Sequence, residues 1–543
     1  MATYTGVFNA PNLVNDDSFI NPIQIPSDFL GFHNNSFGTL ANSQVTQTAQ
    51  AYVTLDSAKN PIVHMISGGG NYYNAALAWS NTVTVGVVFT GGDPLTHQAI
   101  GFANVSTNGS IIGVNIVDPG DYQSIPPNIN FVITGGPSLP PTPSTLKLVR
   151  VHDYMGSRNS PHASAQGYPG NEHWYDVDPG WSGVGTFPGY DWSILDEIIL
   201  YNKAIGNTVL YDIYGTPRNY AVYPTLINQP YDNYAGGSSP LNALGLHSGL
   251  ANVGLEGFIK ALVTRYNVNA HLLVNPLTGN YFPQGTRLID IIEVLNEPQF
   301  GTNGSALSPS NGAYWLGSSA QAVDFIKIVS YNAKQLDPGI KIAGCGFIGG
   351  NCIRGRSFND MLNVMTSTDT GSYLPSINPG YTGYQWVDYV SIHYYDFTSN
   401  GDCNDLAFTG ASPTYGNKLY NSVIPIFKQN MLTYLGSIKP IIMSEIGFYN
   451  NSGPFRTNPD YNYRAIKLAR ILANYFPFAG DIRAIVGYSL NSFNSCLNPG
   501  SIYNWNVLTK LGTCCGKTLV GLSRGNSGQM LMKFSDGSQF YTG

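Results

Sequence analysis

From residue 145 onward the chain repeats one pattern: a short run of β-branched residues, a loop, and then a segment with the apolar spacing of a helix. The apolar runs span residues 147–152, 208–214, 288–295, 340–347, 387–394, 440–446 and 482–490. Segments such as "WSILDEIILYNKAI", "LEGFIKALVTRYN" and "AQAVDFIKIVSYNAKQLDPG" lie between them. Apolar strands that alternate with helices are buried on both faces, so this pattern predicts a parallel sheet.

An eighth run, "DFLGFH" at residues 28–33, lies upstream of the other seven. Eight such strands predict an α/β fold, a (β/α)8 TIM barrel, with a small all-β domain inserted after the first barrel strand. We expect the N-terminal segment and first strand in residues 1–40, the inserted domain in 41–144, the rest of the barrel in 145–496, and a C-terminal loop or hairpin extension in 497–543.

The inserted region contains short strand-like runs separated by turn residues, and it ends in a proline-rich connector. Its stretch "NGSIIGVNIVDPGDYQSIPPNINFVITGG" resembles the glycine- and tyrosine-containing β-repeats of bacteriophage tail and tailspike proteins. The resemblance implies a glycan-binding or virion module. A module that only packs on the barrel is an equally open interpretation.

Composition excludes several classes of partner. Charged residues make up 11% of the chain, against roughly 25% in typical globular domains, and the net charge is −6 without a Lys/Arg cluster. We therefore expect no nucleic-acid partner. No apolar stretch reaches about 18 residues, so we expect no membrane insertion. The start, "MATYTGVFNAPNLVNDDSF", lacks the features of a secretion signal, and we expect an extracellular or virion-associated protein whose signal was removed or that leaves the cell by another route.

Six cysteines lie in the last two-fifths of the chain, and their spacing does not fit a zinc site. We expect some of them to form disulfides, with Cys345 and Cys352 as one candidate pair; six free thiols are the alternative.

Two glutamates end predicted strands. Glu297, in "IIEVLNEPQF", ends the fourth strand, and Glu445, in "PIIMSEIGF", ends the seventh. The C-terminal ends of barrel strands face one active site. Glycoside hydrolysis needs two carboxyl groups there, one to protonate the leaving oxygen and one to attack or stabilise the anomeric carbon. The pair therefore predicts this chemistry, although either glutamate alone would be read as an ordinary solvated or paired carboxylate.

The motifs "EVLNEP" and "IIMSEIGF" resemble those of glycoside hydrolase clan A, and "LKLVRVHDYMG" with "YDWSILDEIILYNKAIGNTVLYDIYGTPRNYA" is similar to glycoside hydrolase family 39 and its relatives. The resemblance covers residues 145–495 and the first strand. It implies a retaining enzyme with Glu297 as acid/base, Glu445 as nucleophile and Asn296 bound to the sugar 2-hydroxyl. Clan members commonly carry a tryptophan at the end of strand eight, whereas "VGYSLNSFNS" contains none.

An attacking glutamate must stay ionised, which nearby cationic or hydroxyl donors favour. Topology places Arg150 on strand two and His393 or Tyr395 after strand six for this role. A structural ion pair is the alternative for Arg150, and a polar side chain that merely fills a strand end is the alternative for the histidine. The other candidate supporting or sugar-contacting residues are His33, His152, Asp153 and Trp174.

The sequence thus predicts a retaining glycoside hydrolase that cleaves a polysaccharide by double displacement and needs no cofactor or metal. The β-insertion, the missing signal and the low charge favour an endo-acting, phage-associated depolymerase of a bacterial capsule or exopolysaccharide, with virion components or further copies of the chain as partners. A secreted, xylosidase-like exo-glycosidase is one alternative. A catalytically silent glycan-binding adhesin and a structural tail protein are the others.

Overall fold

The structure is a computed structural model. It describes residues 13–15, 22–34, 49–68, 85–94, 97–105, 111–133, 146–152, 177, 189–213, 217, 254–307, 315, 317–348, 356–396, 424–448, 472, 475–487, 510–525 and 530–541. The chain divides into two compact units, Met1–Ser36 with Pro143–Gly543, and Phe37–Thr142. Within the described ranges, no helix has the length and hydropathy required to cross a membrane.

The described strands, in chain order, are β1 (Leu13–Asn15), β2 (Ile23–Gln24), β3 (Leu30–Asn34), β4 (Gln50–Leu55), β5 (Pro61–Ser67), β6 (Val85–Thr90), β7 (Ile100–Val105), β8 (Ile111–Asp118), β9 (Asn128–Ile133), β10 (Leu148–Val151), β11 (Thr208–Ile213), β12 (Ile291–Asn296), β13 (Lys341–Ile348), β14 (Tyr389–Asp396), β15 (Ile441–Phe448), β16 (Ile482–Gly487), β17 (Thr518–Gly525), β18 (Met530–Phe534) and β19 (Gln539–Tyr541). The described α-helices are α1 (Ser193–Ala204), α2 (Gly254–Val263), α3 (Ser319–Leu336), α4 (Arg356–Thr366), α5 (Gly383–Trp386) and α6 (Ile424–Leu435).

Eight strands of the first unit close into a barrel. Strands β10 to β16 pair in sequence order, and β3 lies between β16 and β10. All eight pairings are parallel. The predicted closed barrel of eight parallel strands is therefore confirmed, and the eight predicted apolar runs are its strands. The described helices between them are consistent with a (β/α)8 barrel. The functional division of the chain at residues 40, 144 and 496 stays a prediction.

The interior of the barrel changes from apolar to charged along the strand direction. One buried apolar layer consists of Leu148, Leu210, Ile291, Ala343, Ile442, Ala484 and Val486. Side chains two positions apart in a strand share a face. Two residues further along four of these strands, the interior positions hold Arg150, Asp212, Glu293 and Ser444, each at most 1% exposed. The barrel therefore places a buried polar layer directly beneath its C-terminal mouth.

Helix termini follow the sequence signals. Helix α3 begins after Ser318, whose side chain forms a capping box with Gln321. It ends just before Asp337-Pro338-Gly339, because proline cannot continue a helix. The second predicted helix differs from expectation, because α2 ends at Val263 and the chain continues as a π-helix over Thr264–Val268. The apolar spacing of "YNYRAIKLARILANYF" also predicts a helix, and most of this segment lies outside the described residues.

The C-terminal region contributes strands rather than a loop alone. Strand β17 pairs antiparallel with β1, β2 and β18, and β18 pairs with β19. The resulting five-stranded sheet joins the two ends of the chain.

The second unit contains two antiparallel sheets, a β4–β5 pair and a sheet of order β8-β7-β6-β9. Its core includes Val53, Phe89, Ala99 and Tyr122. The buried Tyr122 hydroxyl donates a hydrogen bond to the Gln98 side chain and accepts one from the Ala99 amide, so this tyrosine fixes the start of β7.

The candidate disulfide between Cys345 and Cys352 is wrong, because Cys345 is a free thiol. Cys345, Cys514 and Cys515 are free thiols. Cys345 is fully buried two residues after Ala343 in β13, so its side chain belongs to the polar layer inside the barrel. Burial and the carboxylates of Glu293 and Asp212 raise the pKa of this thiol well above its ordinary value, which leaves it unreactive. Cys352 lies outside the described residues.

Candidate active site

Arg150 is the centre of a buried hydrogen-bond network at the barrel mouth. Its Nε donates to Glu293 at 2.5 Å, and its Nη1 donates to Glu445 Oε1 at 2.6 Å. Its Nη2 donates both to Asp212 at 2.9 Å and to the Asn296 side-chain oxygen at 3.0 Å. One guanidinium therefore links side chains from four strands, β10, β11, β12 and β15, in the fork geometry that only arginine provides.

The two predicted catalytic glutamates meet beside a histidine. His393 Nδ1 lies 2.8 Å from Glu297 Oε1 and 3.4 Å from Glu445 Oε2. One donor atom from each of the three side chains lies within 4.8 Å of the other two, so the carboxylate oxygens of Glu297 and Glu445 are no further apart than that. Glu445 is 6% exposed and Glu297 16%, which leaves Glu297 as the side chain of this pair that is more open to solvent.

Two irregularities in the strands direct the side chains of adjacent residues to the same end of the barrel. Strict alternation would place Asn296 and Glu297 on opposite faces of β12. The backbone instead adopts positive φ at Leu295 (69°) and Glu297 (45°), a conformation that non-glycine residues rarely take. The Glu297 amide donates to the Gly346 carbonyl on β13 at 2.9 Å, which holds this kink in place.

The second irregularity is a register shift between β14 and β15, the strands that carry His393 and Glu445. The pairing of β14 with β15 shifts between Ile392 and His393, after which His393 stands opposite Glu445. Ser444 and Glu445, although adjacent, both reach the interior: the Ser444 hydroxyl contacts the Ser391 hydroxyl at 2.6 Å, and Glu445 contacts Arg150.

The electrostatics of the site follow from burial and paired charge. Burial disfavours the charged form of Arg150, but Glu293, Asp212 and Glu445 outweigh it and raise the pKa of Arg150 well above its ordinary value. Burial likewise disfavours protonated His393, and the Glu445 and Glu297 carboxylates outweigh it, so the pKa of His393 is raised. A protonated His393 donates toward both glutamates and screens their repulsion.

Sequence reasoning missed two supporting carboxylates, Asp212 and Glu293. Asp212 accepts from Arg150 and lies 2.8 Å from His152 Nδ1. Glu293 accepts from Arg150 on one oxygen and from the Ser391 hydroxyl on the other. A signal was present in each strand, because a lone carboxylate inside a run such as "TVLYDIY" or "IIEVL" predicts a buried ion pair.

The structure brings six of the predicted site residues into this network, namely Arg150, His152, Asn296, Glu297, His393 and Glu445. Of two others it describes the backbone: Tyr395 lies in β14 opposite Gly447, and His33 lies in β3 opposite Arg150. Asp153, Trp174 and the end of strand eight at residues 488–500 lie outside the described residues. The catalytic and sugar-binding roles of all these residues stay predictions.

The arrangement offers specific chemistry. Two carboxyl groups lie close together, one held by a guanidinium and both near an imidazole nitrogen. Such a pair suits acid/base and nucleophilic work at one bond. Glu297, His393 and Glu445 also form a group of donor atoms that could hold a metal ion.

No protein-family model matches the chain, and no curated protein sequence matches it. Solved structures of clan A glycoside hydrolases are distantly similar. A glucosidase from Croceicoccus marinus is 12% identical with a TM-score of 0.41, over 72% of this chain and 66% of its own. A family 39 glycoside hydrolase from Bacteroides cellulosilyticus WH2 is 13% identical with a TM-score of 0.39, over 96% of this chain and 88% of its own. An endo-1,4-β-D-mannanase from Thermotoga petrophila RKU-1 is 16% identical with a TM-score of 0.37, over 68% of this chain and 91% of its own. At these scores the likeness is too distant to assign a role to any residue, and the roles depend on the geometry of the site itself.

Proposed function

We propose that the protein is a retaining glycoside hydrolase that cleaves a polysaccharide, with Glu297 as acid/base and Glu445 as nucleophile. The observation that carries the proposal is the approach of these two carboxylates to within 4.8 Å at the mouth of a parallel barrel. Retaining enzymes hold their two carboxyl groups about 5 to 5.5 Å apart, whereas inverting enzymes need roughly 6.5 to 9.5 Å to admit a water molecule. The short separation favours direct attack by a carboxylate.

The contacts of each glutamate support the assignment of roles. Glu445 is the more buried of the two and receives a charged hydrogen bond from Arg150, which favours the ionised form that a nucleophile needs. Glu297 lies nearer to solvent, where a group that exchanges protons with the leaving oxygen and then with water must lie.

The reaction proceeds in two displacements. Glu445 attacks the anomeric carbon while the Glu297 carboxyl gives its proton to the departing glycosidic oxygen, and a glycosyl ester forms on Glu445. Glu297, now a carboxylate, removes a proton from water, which attacks the same carbon and releases Glu445. Because Arg150 occupies the side-chain oxygen of Asn296, the amide NH2 of Asn296 is left to donate to a sugar hydroxyl.

The biological setting is part of the same proposal. We infer an extracellular or virion-associated enzyme that cuts a bacterial capsule or exopolysaccharide in endo fashion. The supporting observations are the phage-tail-like sequence of the inserted region, the separate compact unit that contains it, and the low content of charged residues. The alternatives are exo cleavage and glycan binding without turnover.

The test is to incubate the protein with a panel of capsular and exopolysaccharides and to weigh the products by mass spectrometry. Oligomers of the repeat unit indicate endo cleavage, and single sugars indicate exo cleavage. The Glu297→Gln and Glu445→Gln variants, which preserve side-chain shape, are the matched controls. Binding of a glycan with no turnover by the unmodified protein would identify an adhesin and refute the enzymatic proposal.

A further inference from the structure

The three side chains at the barrel mouth also form a donor set of the kind that binds a tetrahedral metal ion. We propose that Glu297, His393 and Glu445 bind a borderline divalent cation such as Zn²⁺, and that the bound cation inhibits turnover. One imidazole nitrogen and two carboxylate oxygens, all within 4.8 Å of one another, supply three ligands, and water supplies the fourth. The inhibitory effect rests on the proposed function, whereas cation binding does not.

The distances fit a tetrahedral ion after a small adjustment. With metal to ligand distances of about 2.0 to 2.1 Å, the ligand atoms of a tetrahedral Zn²⁺ lie roughly 3.3 Å apart. His393 Nδ1 is 3.4 Å from Glu445 Oε2, so this pair already has the required spacing. The 2.8 Å contact from His393 Nδ1 to Glu297 must lengthen by about 0.5 Å, and the two carboxylates must draw together. Glu297 is the most exposed of the three, so we expect its side chain to make most of this adjustment.

The imidazole is held as a fixed ligand. His393 is fully buried, and a Cβ atom placed on Gly346 would overlap its Nε2 atom, so the ring is clamped from behind with Nδ1 directed at the carboxylates. Arg150 holds Oε1 of Glu445, and Oε2 of that residue is the oxygen that faces His393 Nδ1. Two of the three ligands are therefore positioned before the ion arrives, which reduces the ordering cost of binding.

Charge favours a cation in this position. The network contains the carboxylates of Asp212, Glu293, Glu297 and Glu445, and Arg150 is its single permanently charged cation among the described side chains. An ion at the mouth offsets part of this excess negative charge in a largely buried environment, and it displaces to solvent the proton that His393 Nδ1 holds between the two carboxylates.

The donor types predict the selectivity. A nitrogen ligand in a three-residue tetrahedral set suits Zn²⁺, whereas Mg²⁺ requires near-octahedral geometry and prefers oxygen ligands. Zn²⁺ should therefore bind where Mg²⁺ at the same concentration does not. The ion would sit between the acid/base and the nucleophile, so it would block the substrate rather than assist the reaction.

The experiment titrates the full-length protein with ZnCl₂ and, separately, with MgCl₂ in a calorimeter, and repeats the Zn²⁺ titration with Glu297→Gln and His393→Asn. His97→Asn is the matched control, because His97 also lies beside two carboxylates, Asp118 and Asp121, but in the other unit of the chain. Circular dichroism verifies that each variant is folded, and Glu297→Gln, which keeps the size and shape of the side chain, serves as the test if His393→Asn does not fold.

We expect one Zn²⁺ site whose affinity falls at least about tenfold in Glu297→Gln and in His393→Asn and is unchanged in His97→Asn. On an active substrate, Zn²⁺ should raise the apparent KM, and EDTA should restore the rate. An affinity that neither active-site variant alters, or equal binding of Mg²⁺, would overturn the inference even if the protein proves to be a hydrolase. Site-dependent Zn²⁺ binding by a protein without turnover would support the site while refuting the proposed function.

Discussion

The removal of the Arg150 guanidinium tests the network on which the candidate site is built. The substitution Arg150→Met keeps much of the apolar stem and removes the hydrogen bonds from the guanidinium to Glu293, Glu445, Asp212 and Asn296. Three buried carboxylates then lose their shared cation. Breaking one buried ion pair by removal of a partner typically costs about 3 to 5 kcal/mol. We therefore expect the free energy of unfolding to fall by at least about 3 kcal/mol.

The matched control is Lys260→Met, which also removes a cation from an ion pair. Lys260 pairs with Glu256 one turn away on α2, and its side chain is 49% exposed. Exposed pairs of this spacing contribute about 0.3 to 0.5 kcal/mol. The two variants thus differ in burial rather than in the kind of group removed, and the expected ratio of their effects is roughly six or more.

Urea unfolding followed by tryptophan fluorescence measures the difference. Of the seven tryptophans only Trp79 falls in Phe37–Thr142, so the signal reports chiefly on the unit that contains the barrel. If Arg150→Met fails to fold, Arg150→Lys provides the measurement, because lysine keeps the charge and loses the fork, and it should be destabilised less. An Arg150→Met variant as stable as Lys260→Met would refute the view that this arginine holds the site together.

Three further predictions concern catalysis, packing and pH. Glu297→Gln should lower the rate of hydrolysis of substrates with poor leaving groups by roughly 10² to 10⁴-fold. Substrates with good leaving groups should keep their rate, since such a group departs without a proton. A uniform loss of rate across a series of aryl glycosides would contradict the acid role. Gly346→Ala should displace the His393 ring and lower turnover by about 100-fold. The control Gly113→Ala, whose Cβ would meet no atom within 4 Å, should leave turnover unchanged. Equal turnover rates for the two variants would show that the position of His393 does not matter to the reaction. Burial raises the pKa of the Asp324 carboxyl to about 6 from its ordinary 3.8, so the folded state favours the protonated form. The free energy of unfolding of the wild-type chain should therefore fall by up to about 3 kcal/mol as pH rises from 4 to 7. Asp324→Asn should lack that loss in urea titrations at the two pH values, and an identical pH dependence in both proteins would show that Asp324 is not its source.

The barrel could be predicted because its strands are buried on both faces. Each strand is therefore a continuous apolar run in the sequence, and the segments between the strands show the apolar spacing of helices. The two glutamates could be predicted because each interrupts or ends such a run at the C-terminal edge. Asp212 and Glu293 carried a related signal, a carboxylate two residues after a core position, but neither lies in a motif such as Asn-Glu-Pro or Ser-Glu-Ile-Gly.

Other features depend on geometry that local sequence does not specify. Positive φ at Leu295 turns both Asn296 and Glu297 into the mouth, although leucine gives no cue for that conformation. The register shift on β14 that aligns His393 with Glu445 depends on pairing between distant strands. The candidate pairing of Cys345 with Cys352 is wrong because thiol spacing along the chain does not reveal that the Cys345 side chain is buried inside the barrel.

Identification of the residue that carries the glycosyl group tests the central claim most directly. Glu297→Gln, reacted with an activated glycoside of the sugar that the polysaccharide panel identifies and then quenched in acid, should accumulate the covalent intermediate because its hydrolysis lacks a general base. Peptide mass spectrometry should place one glycosyl unit on Glu445. A label on another residue, or the absence of any label together with inverted product at the anomeric carbon, would contradict the account.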